Sequence, residues 1–180
     1  MKLMIISDTH GYLEGTMQAY KIFERSHADY LVILGDLFNF GPKNGINPGY
    51  DALKTAEYLK QRRDKLIVIR GNCDANVDDM LLGIPVLEHN IFDVNGRKVF
   101  CTHGHIYSEN NLPNGLQSGD ILLRGHFHIP LLLEEQGIIV ACPGSIGVPK
   151  GGSKPAYILL DEHKLECFTL DGEQLYTKDL

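Results

Sequence analysis

Five times along this chain a short apolar run stops at a glycine beside an aspartate, asparagine or histidine. Lys2 to Ile6 runs into Ser7-Asp8-Thr9-His10-Gly11, and Tyr30-Leu31-Val32-Ile33-Leu34 into Gly35-Asp36. Leu66-Ile67-Val68-Ile69 ends at Arg70-Gly71-Asn72. Residues 98–102 end at His103-Gly104-His105, and residues 120–124 at Gly125-His126-Phe127-His128. Short apolar runs bounded by turn residues read as buried strands. Between the first two, residues 12–27 place Leu13, Met17, Tyr20 and Phe23 at helical spacing. Residues 51–63 form a second amphipathic helix with Leu53, Ala56 and Leu59 inward, after a Gly-, Pro- and Asn-rich loop over 37–50. Strand, helix, strand, helix, strand implies a parallel sheet with right-handed crossovers.

The second half changes character. Asn95-Gly96 between apolar runs signals a tight hairpin. Short strands are expected near 98–102, 120–124, 130–134 and 137–142. Residues 156–178 read as a meander with turns at Glu162-His163 and Asp171-Gly172. The chain has 180 residues, 43% of them hydrophobic, enough for one sizeable core. The expectation is an α/β fold, two sheets packed face to face with helices outside, as a single domain over residues 1–180.

Composition removes several classes of function. Acidic residues outnumber basic ones, 23 to 17, for a net charge of -6, which disfavours a bulk electrostatic grip on nucleic acid. No apolar run reaches the roughly 18 residues of a membrane span. The N-terminal apolar run is too short for a signal peptide and ends in charge. Cys73, Cys101, Cys142 and Cys167 are scattered without a CxxC pair, so a zinc knuckle is not expected and a reduced, cytoplasmic protein is.

Each strand-end motif alone has an ordinary explanation: an Asp before a helix caps it, and Gly-Asp or Gly-Asn makes a turn. Together they are harder to dismiss. Five of the eight histidines, at 10, 103, 105, 126 and 128, fall at strand ends beside glycine, whereas His27, His89 and His163 sit in helix or turn contexts. In α/β sheets, ligands bind beyond the carboxyl ends of the strands. Two carboxylates, one amide and at least four imidazoles are a mixed oxygen and nitrogen donor set suited to Mn²⁺, Fe²⁺, Co²⁺ or Zn²⁺. Seven donors are too many for one ion that keeps an open position. They suit two ions about 3.5–4 Å apart sharing one carboxylate, the arrangement that clamps both oxygens of an in-line displacement at phosphorus.

In order and spacing, Asp8-x-His10, Gly35-Asp36, Gly71-Asn72, His103-Gly104-His105 and Gly125-His126-x-His128 resemble the five signature motifs of the calcineurin-like metallophosphoesterases. Arg70-Gly71-Asn72-Cys73-Asp74, the loop Gly35 to Pro42, Pro143-Gly144-Ser145 and Pro149-Lys150-Gly151-Gly152 extend the resemblance to the branch of small bacterial phosphodiesterases. The resemblance implies a double β-sheet sandwich flanked by helices and a metal-dependent phosphodiesterase. It implies that Asp8, His10, Asp36 and His128 hold one metal, and Asp36, Asn72, His103 and His126 the other, with Asp36 bridging. Either histidine of His103-Gly104-His105 could be the ligand. Asn72, Cys73, Asp74 and His103 are the residues it places at the chemistry. The implied cofactor is a pair of divalent ions, Mn²⁺ first and Zn²⁺, Fe²⁺, Co²⁺ or Ni²⁺ as alternatives. The implied partner is a small phosphoester, with self-association as a homodimer or homotetramer and no membrane. A phosphomonoesterase, or a protein-binding scaffold on the same fold, are the alternative readings.

One position departs from the family's pattern. Many members carry a histidine after Gly-Asn, thought to protonate the leaving group or touch the phosphate. Here Cys73 stands in that place, a thiol that donates hydrogen bonds weakly, and Asp74 loses the imidazole it would orient.

Overall fold

The computed structural model describes all 180 residues. The first half is β1 (Leu3–Ile6), α1 (Leu13–Ser26), β2 (Tyr30–Ile33), α2 (Ala52–Lys60), β3 (Leu66–Ile69), α3 (Asn76–Leu82) and β4 (Val86–Leu87). There follow β5 (Asn90–Val94), β6 (Arg97–Cys101), β7 (Ile121–Leu123), β8 (Pro130–Glu135) and β9 (Ile138–Pro143). The chain closes with β10 (Ala156–Leu160), β11 (Lys164–Thr169) and β12 (Gln174–Asp179). A seven-stranded sheet runs β12-β11-β10-β1-β2-β3-β4, and a five-stranded sheet runs β5-β6-β7-β9-β8. β1 to β4 pair in parallel, and β10 joins β1 antiparallel to begin the closing meander.

The continuous apolar sequence of β1 follows from having no wet face. Leu3 and Ile5 point into the core between the sheets, where they meet Val99, Ile121 and Ile139. Met4 and Ile6 point the other way, onto Ala19, Phe23 and Leu59 of the helices. The three helices thus cover one outer face. The outer face of the smaller sheet is covered instead by irregular chain: Tyr107, Leu112 and Leu116 pack on Phe100, Leu122 and Val140.

Three local findings differ from the sequence expectation. Leu53 is 71% exposed, and Thr55 takes the inward place beside Ala56 and Leu59. At 100° per residue Leu53 lies outside the stripe those three define, and Thr55 tolerates burial because its hydroxyl donates to the Asp51 carbonyl at 2.8 Å. The short α3 and two-residue β4 carry too few periodic positions to read. They are fixed by tertiary bonds: Asp79 accepts from the Val86 N–H at 2.7 Å and from Arg70 at 2.9 Å.

The carboxyl ends of β1, β2, β6 and β7 meet at one edge of the sandwich. The Leu34 N–H donates to Ile6 O and Thr102 N–H to Leu123 O, both continuing the ladders past the strands. The His126 N–H then donates across the sheets to Asp8 Oδ2 at 3.0 Å.

The helix facing can be checked by chemical denaturation. Leu59→Ala is expected to cost about 2–5 kcal/mol, as truncation of a fully buried leucine does. Leu53→Ala is expected within about 0.5 kcal/mol of the parent.

Candidate metal centre

Asp8, His10, Asp36, His126 and His128 all have left-handed backbones, with φ of 53°, 43°, 53°, 70° and 62°. Side chains other than glycine hold such angles at a cost of order 1–3 kcal/mol each and keep them only where surrounding structure dictates them. Here backbone bonds between neighbouring strand ends do so. Asp8 N–H donates to Gly35 O at 3.0 Å and His10 N–H to Asp36 O at 2.9 Å. The bent backbone lets residues two apart aim into one cleft. Gly71 and Gly125 serve close approach: a Cβ on Gly71 would stand 2.1 Å from Asp36 Oδ1, and one on Gly125 1.9 Å from Ser7 Oγ.

Ligand-type atoms of Asp8, His10, Asp36 and His128, all buried, lie within 4.8 Å of one another. His10 Nε2 is 3.3 Å from His128 Nε2 and 3.7 Å from Asp36 Oδ2. A second group faces the other oxygen of the same carboxylate. His103 Nε2 lies 3.5 Å from Asp36 Oδ1, 3.0 Å from Asn72 Oδ1 and 3.2 Å from His126 Nδ1. All seven residues singled out in the sequence therefore gather at one site. His105 is exposed beside them, its ring centroid 5.3 Å from that of His103, and it is His103 that reaches the cluster.

The protonation pattern tests whether cations fit. The Nδ1 atoms of His10, His103 and His128 each face a backbone carbonyl, those of Asn39, Leu34 and Val148. A carbonyl only accepts, so each Nδ1 carries the proton, and in its neutral form each ring turns a bare Nε2 inward. The Nε2 pair of His10 and His128, and the contact between His103 Nε2 and Asn72 Oδ1, then set lone pair against lone pair. Asp8 Oδ1 is buried without a hydrogen-bond partner and lies 3.2 Å from His128 Nε2. A cation satisfies these atoms together, and the oxygen and nitrogen donors suit a divalent first-row ion.

The surrounding electrostatics keep the donors available. Burial lowers the imidazole pKa of His10 and His126, which favours the neutral, ligating form. Burial raises the Asp8 carboxyl; when the rings of His128 and His103 carry a second proton instead of a metal, the hydrogen bond from His128 and their positive charge outweigh that burial and hold the carboxyl below its ordinary value.

Asn72 and Cys73 line a cleft of about 260 Å³ together with Asp36, His126 and His128. Cys73 N–H donates to Asp36 Oδ1 at 2.9 Å, and its Sγ accepts from Asn72 Nδ2 at 3.3 Å. Burial and the Asp36 carboxylate push the thiol up to about 12, so it stays protonated. Asp74 is not left without a partner by the missing imidazole. Its carboxylate accepts from the N–H groups of Asp36, Leu37 and Gly71 at 2.8, 2.8 and 2.7 Å. Burial pushes its pKa up to about 6 against those three donors.

Several supporting residues escaped the sequence reading. Arg124, almost wholly buried, forms a two-pronged pair with Glu109 at 2.8 and 2.9 Å and donates to Gly125 O at 3.2 Å. Ser7 Oγ donates to Asp8 Oδ2, and Ser145 Oγ donates to Asp8 O at 2.8 Å. Adjacency to the motifs was the only signal for Arg124 and Ser7. Lys43 and Lys150 line the same cleft.

A double sheet with a buried aspartate and histidine cluster at its strand ends defines a metallophosphoesterase, and residues 1–165 match the model of the calcineurin-like phosphoesterase superfamily domain. The chain belongs to that superfamily. It is 40% identical over 177 residues to phosphodiesterase YfcE of Escherichia coli K12, covering 97% of this chain and 95% of that one. The solved structure of E. coli YfcE, described as a phosphoesterase, superposes with a TM-score of 0.94 at 39% identity, over 99% of this chain and 98% of that one. A phosphodiesterase of Methanocaldococcus jannaschii is 27% identical over 182 residues, covering 92% of this chain and 96% of its own. Vps29 of Entamoeba histolytica, at 19% identity and a TM-score of 0.62 over 99% of each chain, shares the fold.

Asp74 offers a direct check on the site's framework. Asp74→Ala would strand three backbone donors, so the metal-free protein is expected to lose at least about 2 kcal/mol in urea unfolding. An unchanged midpoint would show that these three bonds contribute nothing to the framework.

Proposed function

We propose that the chain is a metal-dependent phosphodiesterase working through two divalent ions, with Asp36 shared between them. The observation that carries this reading is the Asp36 carboxylate, whose two oxygens face separate donor groups. On one side Asp8, His10 and His128 would complete the set. On the other, Asn72, His103 and His126 would do so. When bound, such a pair supplies an activated water and Lewis acidity toward phosphoryl oxygens. Mn²⁺ is the metal we favour, because the donors are oxygen and nitrogen without a thiolate; Zn²⁺ should bind more tightly on the Irving–Williams order without being the better activator.

The chain's own residues have distinct tasks. The backbone carbonyls of Asn39, Leu34 and Val148 hold the proton on Nδ1 and so keep the inward nitrogens free. Asp74 holds the Asp36 and Gly71 loops together and is a positioning residue. Asn72 and Cys73 form the wall of the cleft that a phosphoester would meet. With a protonated thiol in place of an imidazole, position 73 offers no strong proton donor to the departing oxygen. That supports diesters with acidic leaving groups, such as aryl alkoxides, over alkyl ones. A filled donor set argues against a scaffold that has lost its metal ligands.

We take residues 1–180 as one domain that acts on a small phosphoester in a reducing cytoplasm and assembles as a homodimer or homotetramer. Four free cysteines support the compartment. No helix is long and apolar enough to cross a membrane.

Three measurements follow from this reading. Exhaustive chelation should abolish hydrolysis of bis(p-nitrophenyl) phosphate and added Mn²⁺ should restore it; full activity after chelation would end the metal-dependent reading. Asp36→Ala should lower activity more than about 100-fold, since even outer partners of metal ligands contribute about 10–100-fold. That variant should also lose bound metal, whereas Asn72→Ala should lose mainly one ion; two ions retained in the Asp36 variant would rule out the shared carboxylate. Cys73→His should accelerate alkyl-leaving diesters more than aryl ones, by up to about 10²–10⁴-fold, the usual contribution of a placed general acid. A rate independent of leaving-group pKa in both proteins would contradict that role for position 73.

A further inference from the structure

We propose that Lys43 and Lys150 form a second anion subsite, so that the diester this site takes carries another phosphate or carboxylate on its non-leaving side. The inference rests on the phosphodiesterase reading and extends it to the class of substrate.

The cleft is lined by Asp36, Asn72, Cys73, His126 and His128 of the donor cluster together with Gly41, Pro42, Lys43, Asn44 and Lys150. Both lysines stand on anchored backbone. Lys150 N–H donates to His128 O at 3.1 Å, and Ser153 Oγ donates to Lys150 O at 2.7 Å. Beside Lys43, Asn44 Nδ2 donates to Phe40 O at 2.8 Å, and Phe40 stands edge-on to Tyr50. The subsite is thus carried on fixed loops next to a metal-type histidine.

Charge decides what the lysines are for. The chain carries a net charge of -6, and Lys54, Lys154, Lys164 and Lys178 each pair with a carboxylate. Lys43 and Lys150 pair with none, as is true also of Lys2, Lys21, Lys60, Lys65 and Lys98, but these two are the lysines that line the cleft with Asp36. The scissile group does not need them. Two aspartates against two divalent ions leave two positive charges, which the single anion of a diester and a hydroxide nucleophile match. The two ammonium groups remain as surplus positive charge inside a cleft of an acidic protein. Positive charge without a carboxylate partner at the cleft favours an arriving anion and steers an anionic substrate toward the mouth.

The test compares two probe pairs differing by one anionic group, on the Mn²⁺-loaded full chain. For turnover these are thymidine 5′-(p-nitrophenyl phosphate) and its 3′-phosphorylated counterpart. For binding, by calorimetry, they are thymidine 5′-monophosphate and thymidine 3′,5′-bisphosphate. The parent should prefer the doubly charged member of each pair. Lys43→Ala and Lys150→Ala should each shrink that preference by about fivefold, the upper range for a partly exposed ion pair, with the change in KM rather than kcat. Lys150→Glu should reverse the preference. A selectivity ratio unchanged in all three variants would overturn the subsite. So would equal losses for both members of a pair, which would place the lysines on the first phosphate. If neither diester is hydrolysed while the calorimetric preference responds as stated, the subsite stands and the phosphodiesterase reading falls. Both lysines are exposed, and circular dichroism matching the parent confirms that the variants are folded.

Discussion

Three imidazoles donate their Nδ1 protons to backbone carbonyls, and the chemistry of the cleft depends on it. A carbonyl cannot give a proton back, so the tautomer is set by the main chain and not by pH-sensitive side chains. In its neutral form each ring presents a bare nitrogen to the interior. Placed beside the unpartnered oxygen of Asp8, those lone pairs make a site that repels itself until positive charge enters. Lowered imidazole pKa values at His10 and His126 keep protons from taking that role cheaply.

Holding such a site together requires a stiff pedestal. β1 gives it one, with Leu3 and Ile5 in one core and Met4 and Ile6 in the other, all fully buried. The strained left-handed residues then sit two to five positions beyond strands that cannot shift. Asp74 ties the ends of β2 and β3 by three N–H bonds, and Arg124 ties the end of β7 to Glu109. Strain at the donors is thus borne by packing between the sheets, a common division between functional edge and stable core.

Much of this was legible before the fold. Strands buried on both faces wrote themselves as unbroken apolar runs, and donors beyond their ends appeared as Asp-x-His, Gly-Asp, Gly-Asn and His-x-His. What stayed hidden depended on contacts distant in sequence. The choice of His103 over His105 follows from the Leu34 carbonyl, 69 residues away, accepting its Nδ1–H. Asp74 looked like a residue missing its imidazole, and only the packing of β2 against β3 shows the three amides it serves. Leu53 looked inward because three apolar residues at spacing three drift around a helix, and only the sheet beneath says where the stripe lies. Lys43 and Lys150, 107 positions apart, meet at one cleft through the fold alone.

The central claim is a pair of ions sharing Asp36, and its most direct measurement is an electron paramagnetic resonance titration of the metal-stripped protein with Mn²⁺. The account predicts saturation at two Mn²⁺ per chain, with the six-line spectrum of isolated Mn²⁺ giving way to the broadened, closely spaced lines of an exchange-coupled pair. Saturation at one ion per chain, or two ions that remain magnetically isolated at full occupancy, would contradict it.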